Sequence, residues 1–289
     1  FSLIEQWIIE GSLSRSVFVR DSFFGSDEMR EYLATHSIRD GSYDIFRKAY
    51  FNVQYWIDDD LDDSVKQTLR ISANTYEGNI SVLIDELTVP GTVAIDMGAH
   101  LGTHTVFMSR KAGPNGAVIA FEPSKKLYME LLANLELNQS HNTIAICKGL
   151  GATFEKANLQ GIQIVPDQGE SIEIIPLDSL QLTNVSLIKM DVENYEYFVF
   201  QGAKDTLQRN RPVILFECWI DYEYDKRDGI HQKRNFDAVM ALVEEYGYEV
   251  HVLYNCDFIA FPKERLIDFR KYTKKYPKLD PKTYRGEGA

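Results

Sequence analysis

From residue 92 onward, short apolar runs alternate with amphipathic stretches of helical length. TVAIDM, AVIAFE, NTIAICK, SLIKMDV and PVILFE have the length and β-branched content of buried strands. Between them, the segments around Thr103 to Lys111, Lys125 to Asn138 and Tyr195 to Arg209 read as helices. Such alternation predicts an α/β fold, a mostly parallel sheet with helices on both faces. A β-rich excursion, IQIVP and SIEIIPL, separates its two halves. A helix FDAVMALVEEYG then leads to YEVHVLY and DFIAFP, two strands on a short turn that predict an antiparallel closing hairpin.

The flanks follow other patterns. Residues 1–75 carry no glycine-rich turn and no strand–helix alternation, and read as a mainly helical N-terminal accessory region. Its acidic cluster, Asp58, Asp59, Asp60, Asp62 and Asp63, reads as a solvated helix start, because carboxylates favour the positive end of the helix dipole, with a metal site as the lesser option. Residues 76–262 hold the α/β pattern. Residues 263–289 form a basic, tyrosine-rich tail, read as solvated and partly flexible, with a polyanion contact as the alternative.

Composition narrows the function. With 44% hydrophobic and 26% charged residues the chain is an ordinary globular protein. Its net charge of -12 argues against gripping a phosphate backbone, so nucleic acid is not an expected partner. No apolar run approaches the roughly 18 residues of a membrane span, and the first residues, FSLIEQWIIE, lack the basic flank of a secretory signal. Cys147, Cys218 and Cys256 are too scattered for a disulfide framework or a CxxC site. Reduced thiols and a cytoplasmic location are expected.

The candidate chemistry sits at VAIDMGAHLGTHT and AFEP. A strand, a glycine turn opening a helix, and a second strand ending in an acid describe a nucleotide-binding α/β unit. In Gly98-Ala99-His100-Leu101-Gly102, histidine stands where a dinucleotide fingerprint places its second glycine, which counts against a pyrophosphate. Asp96 would repel phosphate but suits the sulfonium and ammonium of S-adenosylmethionine. Glu122 is placed to accept ribose hydroxyls from either cofactor. Alternatively, the glycines make only a tight connection and the two acids cap helices.

The ordered set DMGAHLGTHT, AFEPSKKLYMELLANLELN, IPLDSL, LIKMDVENYEYFVFQGA and RPVILFE resembles the FkbM family of S-adenosylmethionine-dependent methyltransferases, over roughly Tyr76 to Phe261. The resemblance implies a Rossmann-like class I methyltransferase fold, its mostly parallel seven-stranded sheet closed by an antiparallel hairpin. It implies Asp96, Gly98, Ala99, His100 and Gly102 as the cofactor turn, with Glu122 as the ribose ligand, and Glu77, Pro123 and Asp191 also near the cofactor. The chain departs from the family at His100, where asparagine is common, and at Asn194, where a DVEG motif has glycine. Glycine there suggests a positive φ, which asparagine tolerates.

Methyl transfer to a hydroxyl needs alignment and a group that takes the hydroxyl proton. Asp191, Glu193 and Glu217, at strand ends, are the candidate catalytic carboxylates, and together they could instead hold Mg²⁺. As structural residues, Asp191 would cap the next helix and Glu193 would sit in its first turn. Lys189 reads as the partner of a carboxylate and Cys218 as a packed thiol. His100 and His104 share a helix face, with a metal pair as the lesser option. DVEN in place of a (D/N/S)PP(Y/F/W) motif disfavours nucleobase N-methylation. The expected activity is O-methylation of a hydroxyl on a sugar, glycan precursor or secondary metabolite, with Trp219 to Arg234 as a substrate loop. The alternatives are an NAD(P)-dependent oxidoreductase, or a non-catalytic member that binds cofactor or a partner. The N-terminal region is a possible oligomer surface.

Overall fold

The computed structural model describes residues 43–48, 53–58, 63–72, 75–165, 169–219 and 232–284. They fall into two compact units, Phe1–Cys147 and Lys148–Ala289.

The first unit opens with an antiparallel hairpin, β1 (Tyr43–Lys48) and β2 (Val53–Asp58). The helical expectation fails for these residues. VQYWID is rich in β-branched and aromatic side chains, and Val53, Tyr55, Trp56 and Ile57 are all buried, a composition that suits a strand. Residues 1–42 and Asp59, Asp60 and Asp62 lie outside the described residues. Asp63 does start a helix, α1 (Ser64–Ile71), accepting the Lys66 N–H at 3.0 Å as its N-cap.

After α2 (Gly78–Leu87) come β3 (Val93–Met97), α3 (Thr105–Ala112), β4 (Ala117–Phe121), α4 (Lys125–Leu137) and β5 (Thr143–Ile146). β3 pairs with β4, and β4 with β5, all in parallel. Every β4 residue is buried, as a parallel strand covered on both faces requires.

The edge of β2 is met by side chains of α4. Asn138 accepts the Gln54 N–H at 2.9 Å and donates to the Gln54 carbonyl at 2.7 Å. Asn134 does the same for Trp56, at 2.6 and 3.3 Å. Four residues of helix rise about 6 Å and two residues of strand about 6.6 Å, so asparagines at i and i+4 match alternate strand residues. Lys66 of α1 and Glu130 of α4 form an ion pair at 2.9 Å with both side chains fully buried.

The second unit begins with β6 (Gly149–Leu150), β7 (Glu155–Gln160), β8 (Gln163–Val165) and β9 (Glu170–Ile175), a four-stranded sheet in the order β6-β9-β7-β8. This is the expected excursion, enlarged by β7. β10 (Val185–Met190), α5 (Glu196–Gly202), α6 (Lys204–Asn210), β11 (Val213–Glu217), α7 (Gln232–Glu245), β12 (Tyr248–Tyr254) and β13 (Asp257–Pro262) follow. β10 and β11 are parallel, and β13 runs antiparallel to both β11 and β12, the expected closing hairpin. With β3, β4 and β5, these are the seven strands of a mostly parallel sheet. The fold is Rossmann-like.

Two local expectations change. The helix read over Tyr195 to Arg209 is broken at Ala203. Gly202 packs so tightly that a Cβ there would lie 1.9 Å from the Gly151 carbonyl oxygen, and the new helix start is capped by Asp178, which accepts the N–H groups of Asp205 and Thr206 at 2.9 and 2.8 Å. The basic tail is packed through residue 284: α8 (Arg270–Lys275) seats Tyr272, and Phe269 and Tyr272 stack on Phe261 of β13, with ring centroids 4.8 and 6.0 Å away. Its aromatic residues cover the hairpin, which a reading by charge overlooks. Among the described residues no helix is long and apolar enough to cross a membrane.

Candidate active site

β3 carries Asp96 to the carboxyl end of the sheet, where the chain turns sharply toward α3. Asp96 is fully buried, and the Thr105 hydroxyl donates to its Oδ2 at 2.6 Å. The Gly98 and Ala99 N–H groups both donate to the Phe121 carbonyl, at 3.0 and 2.9 Å, tying the turn to the end of β4. Left-handed backbone recurs at alternate residues, with φ of 77° at Gly98, 52° at His100 and 92° at Gly102. Histidine, like asparagine, is one of the few L residues that tolerate this conformation. The departure at His100 therefore preserves the path of the turn.

Glu122 follows β4 and is 5% exposed. Its Oε2 accepts the His100 N–H and its Oε1 the Ser124 N–H, both at 2.9 Å. A carboxylate oxygen accepts more than one hydrogen bond, the capacity a ribose diol uses. The Pro123 carbonyl faces the Cys147 thiol at 3.9 Å. Glu77, itself left-handed at φ 44°, places Oε2 3.7 Å from His104 Nε2, at the end of the turn. The same unit thus brings together Glu77, Asp96, Gly98, Ala99, His100, Gly102, Glu122 and Pro123. Buried acids on this turn suit a ligand with positive charge and a diol better than one with a pyrophosphate.

One partner of the turn was not legible in the sequence. His100 Nε2 lies 3.0 Å from Asp63 Oδ2, with the two side chains 19% and 13% exposed. Burial pushes the His100 pKa down, but the hydrogen bond and charge of Asp63, aided by Glu122 and Glu130, outweigh it and hold the ring above its ordinary 6.5. Burial pushes Asp63 up, and the bond and charge of His100 with the Lys66 N–H bring it below its ordinary 3.8.

The second group of candidates lies in the C-terminal unit. Lys189 donates to Asp191 Oδ2 at 3.4 Å. Asp191 is not a helix cap: α5 starts at Glu196, with Tyr195 at the cap position. Glu193 is not in a first helical turn either, since Glu193 and Asn194 are consecutive left-handed residues at φ 53° and 70°. The positive φ expected at Asn194 is present. Glu217 ends β11 and pairs in register with Asp257 of β13. Burial, with the charge of Asp191 outweighing that of Lys189, pushes Asp257 up to about 6. Asp257 went unnoticed in the sequence because nothing marks it until β13 is registered against β11. Burial holds the Cys218 thiol well above its ordinary range, and its N–H donates to the Cys256 carbonyl at 2.8 Å. Among the described residues no group of three or more His, Cys, Asp or Glu side chains is placed to hold a metal ion, so the Mg²⁺ option at Asp191, Glu193 and Glu217 gains no support. Residues 220–231 of the expected substrate loop lie outside the described residues.

Comparison with known proteins identifies the family. The family model of the methyltransferase FkbM domain matches residues 96–250, more than half of the chain. The model of protein-L-isoaspartate(D-aspartate) O-methyltransferase matches residues 23–157. Among curated proteins none matches significantly. Among solved structures, the methyltransferase FkbM from Methylobacillus flagellatus KT is similar at 16% identity and a TM-score of 0.46, over 69% of this chain and 55% of its own. This chain thus spans about half the length of that relative. An S-adenosylmethionine-dependent O-methyltransferase from Thermotoga maritima is similar at 13% identity, TM-score 0.42, over 82% of this chain and 72% of its own. A precorrin-6y C5,15-methyltransferase from Geobacter metallireducens GS-15 is similar at 11% identity, TM-score 0.41, over 63% of this chain and 85% of its own. The domain match begins at Asp96 itself and runs through the glycine turn, Glu122, Asp191 and Glu217. The chain belongs to the FkbM family of methyltransferases.

Proposed function

We propose that the protein is an S-adenosylmethionine-dependent O-methyltransferase acting on a hydroxyl of a sugar, glycan precursor or secondary metabolite. Family membership supports the reaction class, and the donor set at the turn suits the cofactor: Asp96 and Glu122 for its charge and ribose, His100 and Glu77 beside them. When bound, that cofactor supplies a methyl group activated by a positively charged sulfur. The chain has to orient the acceptor and take its proton.

The observation that carries the hydroxyl acceptor is Asp257. A carboxylate held up to about 6 by burial is ionised at neutral pH yet basic enough to assist a hydroxyl. The charge of Asp191, which accepts from Lys189, raises it further, and Glu217 is its register partner on β11. The scattered thiols Cys147, Cys218 and Cys256 suit a reducing compartment, and we propose a cytoplasmic location.

The test is methyl transfer from labelled S-adenosylmethionine to a panel of saccharides and phenols, with and without Mg²⁺. Turnover should rise with pH through about 6 as Asp257 ionises. Asp257→Asn should lower kcat about 10²–10⁴-fold while leaving cofactor affinity in place. Full turnover in Asp257→Asn would remove Asp257 as the base, and methylation confined to amines would overturn the acceptor class.

A further inference from the structure

The cofactor turn is held from outside its own motif at three nearby points. The Leu101 carbonyl accepts from Asn134 Nδ2 at 2.8 Å, and the same Asn134 amide brackets the Trp56 backbone of β2. The Thr103 carbonyl accepts from the buried Tyr55 hydroxyl at 3.0 Å. One residue before Leu101, the His100 ring is held by Asp63 at 3.0 Å. Tyr55, Trp56 and Asp63 all belong to the segment ahead of the methyltransferase domain match, which starts at residue 96.

We infer that Asp63 is a positioning residue of the cofactor turn, which fixes His100 in its charged form and so makes cofactor affinity depend on pH. Charge and geometry agree on this. His100 is left-handed, and its own N–H is spent on Glu122, so its ring orientation follows from the backbone and from Asp63 together. Its Nδ1 is buried and has no hydrogen-bond partner among the described residues. In a doubly protonated ring that atom is a donor, and a buried donor is costly unless a ligand oxygen meets it. Among the described residues, Asp63, Glu122 at the tip of β4 and Glu130 on α4 act on the ring, and Lys66 of α1 acts on Asp63. These three acids favour the imidazolium.

The sign follows from the two partners. His100 is raised, so its contribution is complete below its ordinary 6.5 and is lost as pH climbs through the raised value. Asp63 is lowered, so its contribution is complete above 3.8 and is lost as pH falls through the lowered value. The pair holds the turn between those limits.

The inference rests on the cofactor reading above, and its test separates the two. The affinity of the full chain for S-adenosylmethionine is measured by calorimetry from pH 6 to 9, and the His100 ring is titrated by NMR without cofactor. Asp63→Asn keeps a good N-cap but removes the charge. It should move both the ring titration and the fall in affinity to lower pH by about one unit or more. His100→Asn tolerates the left-handed backbone, and should lose the part of the pH dependence that follows the ring, leaving that of the cofactor's own ammonium. Wild-type binding with the same profile in Asp63→Asn, or a ring titration that this variant does not move, overturns the inference alone. Absence of wild-type binding at every pH overturns the cofactor reading and the inference with it.

Discussion

At position 102 the turn has room for a hydrogen and nothing larger. A Cβ there would meet Leu131 Cδ1 at 2.8 Å, and the backbone is at φ 92°, which L side chains rarely adopt. Backbone strain and overpacking together put the expected cost of Gly102→Ala at about 2–4 kcal/mol, read by urea unfolding. A cost under about 0.5 kcal/mol would mean that the turn relaxes freely. Asp96, Gly98, Gly102 and Glu122 were legible in the sequence because the spacing that makes them a site is local. Asn194 was legible for a similar reason, since a glycine in the related motif implies the φ of 70° found here. The Asp63 to His100 pair was not. Its two members lie on separate elements, and an acidic cluster in sequence says only where a helix begins.

Elements show the same division. Strands β3, β4, β10 and β11 are mostly apolar runs and could be read directly. The break at Ala203 could not, because it depends on Gly202 reaching Gly151 and on Asp178 arriving to cap the second helix. The β1–β2 hairpin was hidden because its polar edge is completed by Asn134 and Asn138 of a helix far along the chain. The Lys66 to Glu130 pair joins α1 to that helix with both charges fully buried. Lys66→Met leaves Glu130 without its buried countercharge and is expected to cost about 3–5 kcal/mol. The double variant Lys66→Met, Glu130→Leu should recover most of it, since a buried pair replaced by apolar groups is often neutral. Urea unfolding of both variants checks this, and a double variant no better than the single one would contradict it.

For the whole molecule, alternation and glycine chemistry led to the right fold class, while the parts furthest from the motif were least predictable. The basic tail is the plainest case, with its aromatic residues packed on β13 through residue 284. The central claim is that the turn from Asp96 to Gly102, with Glu122, binds S-adenosylmethionine. Its most direct test is thermal unfolding of the wild type, Asp96→Ala and Glu122→Ala, each alone, with S-adenosylmethionine and with NAD⁺. Ligand at a hundred times Kd adds about 2.7 kcal/mol, about 5–10 °C for a domain of this size. The account predicts that rise for wild type with S-adenosylmethionine only, and its loss in both variants. A rise with NAD⁺, or an undiminished rise in both variants, would contradict it.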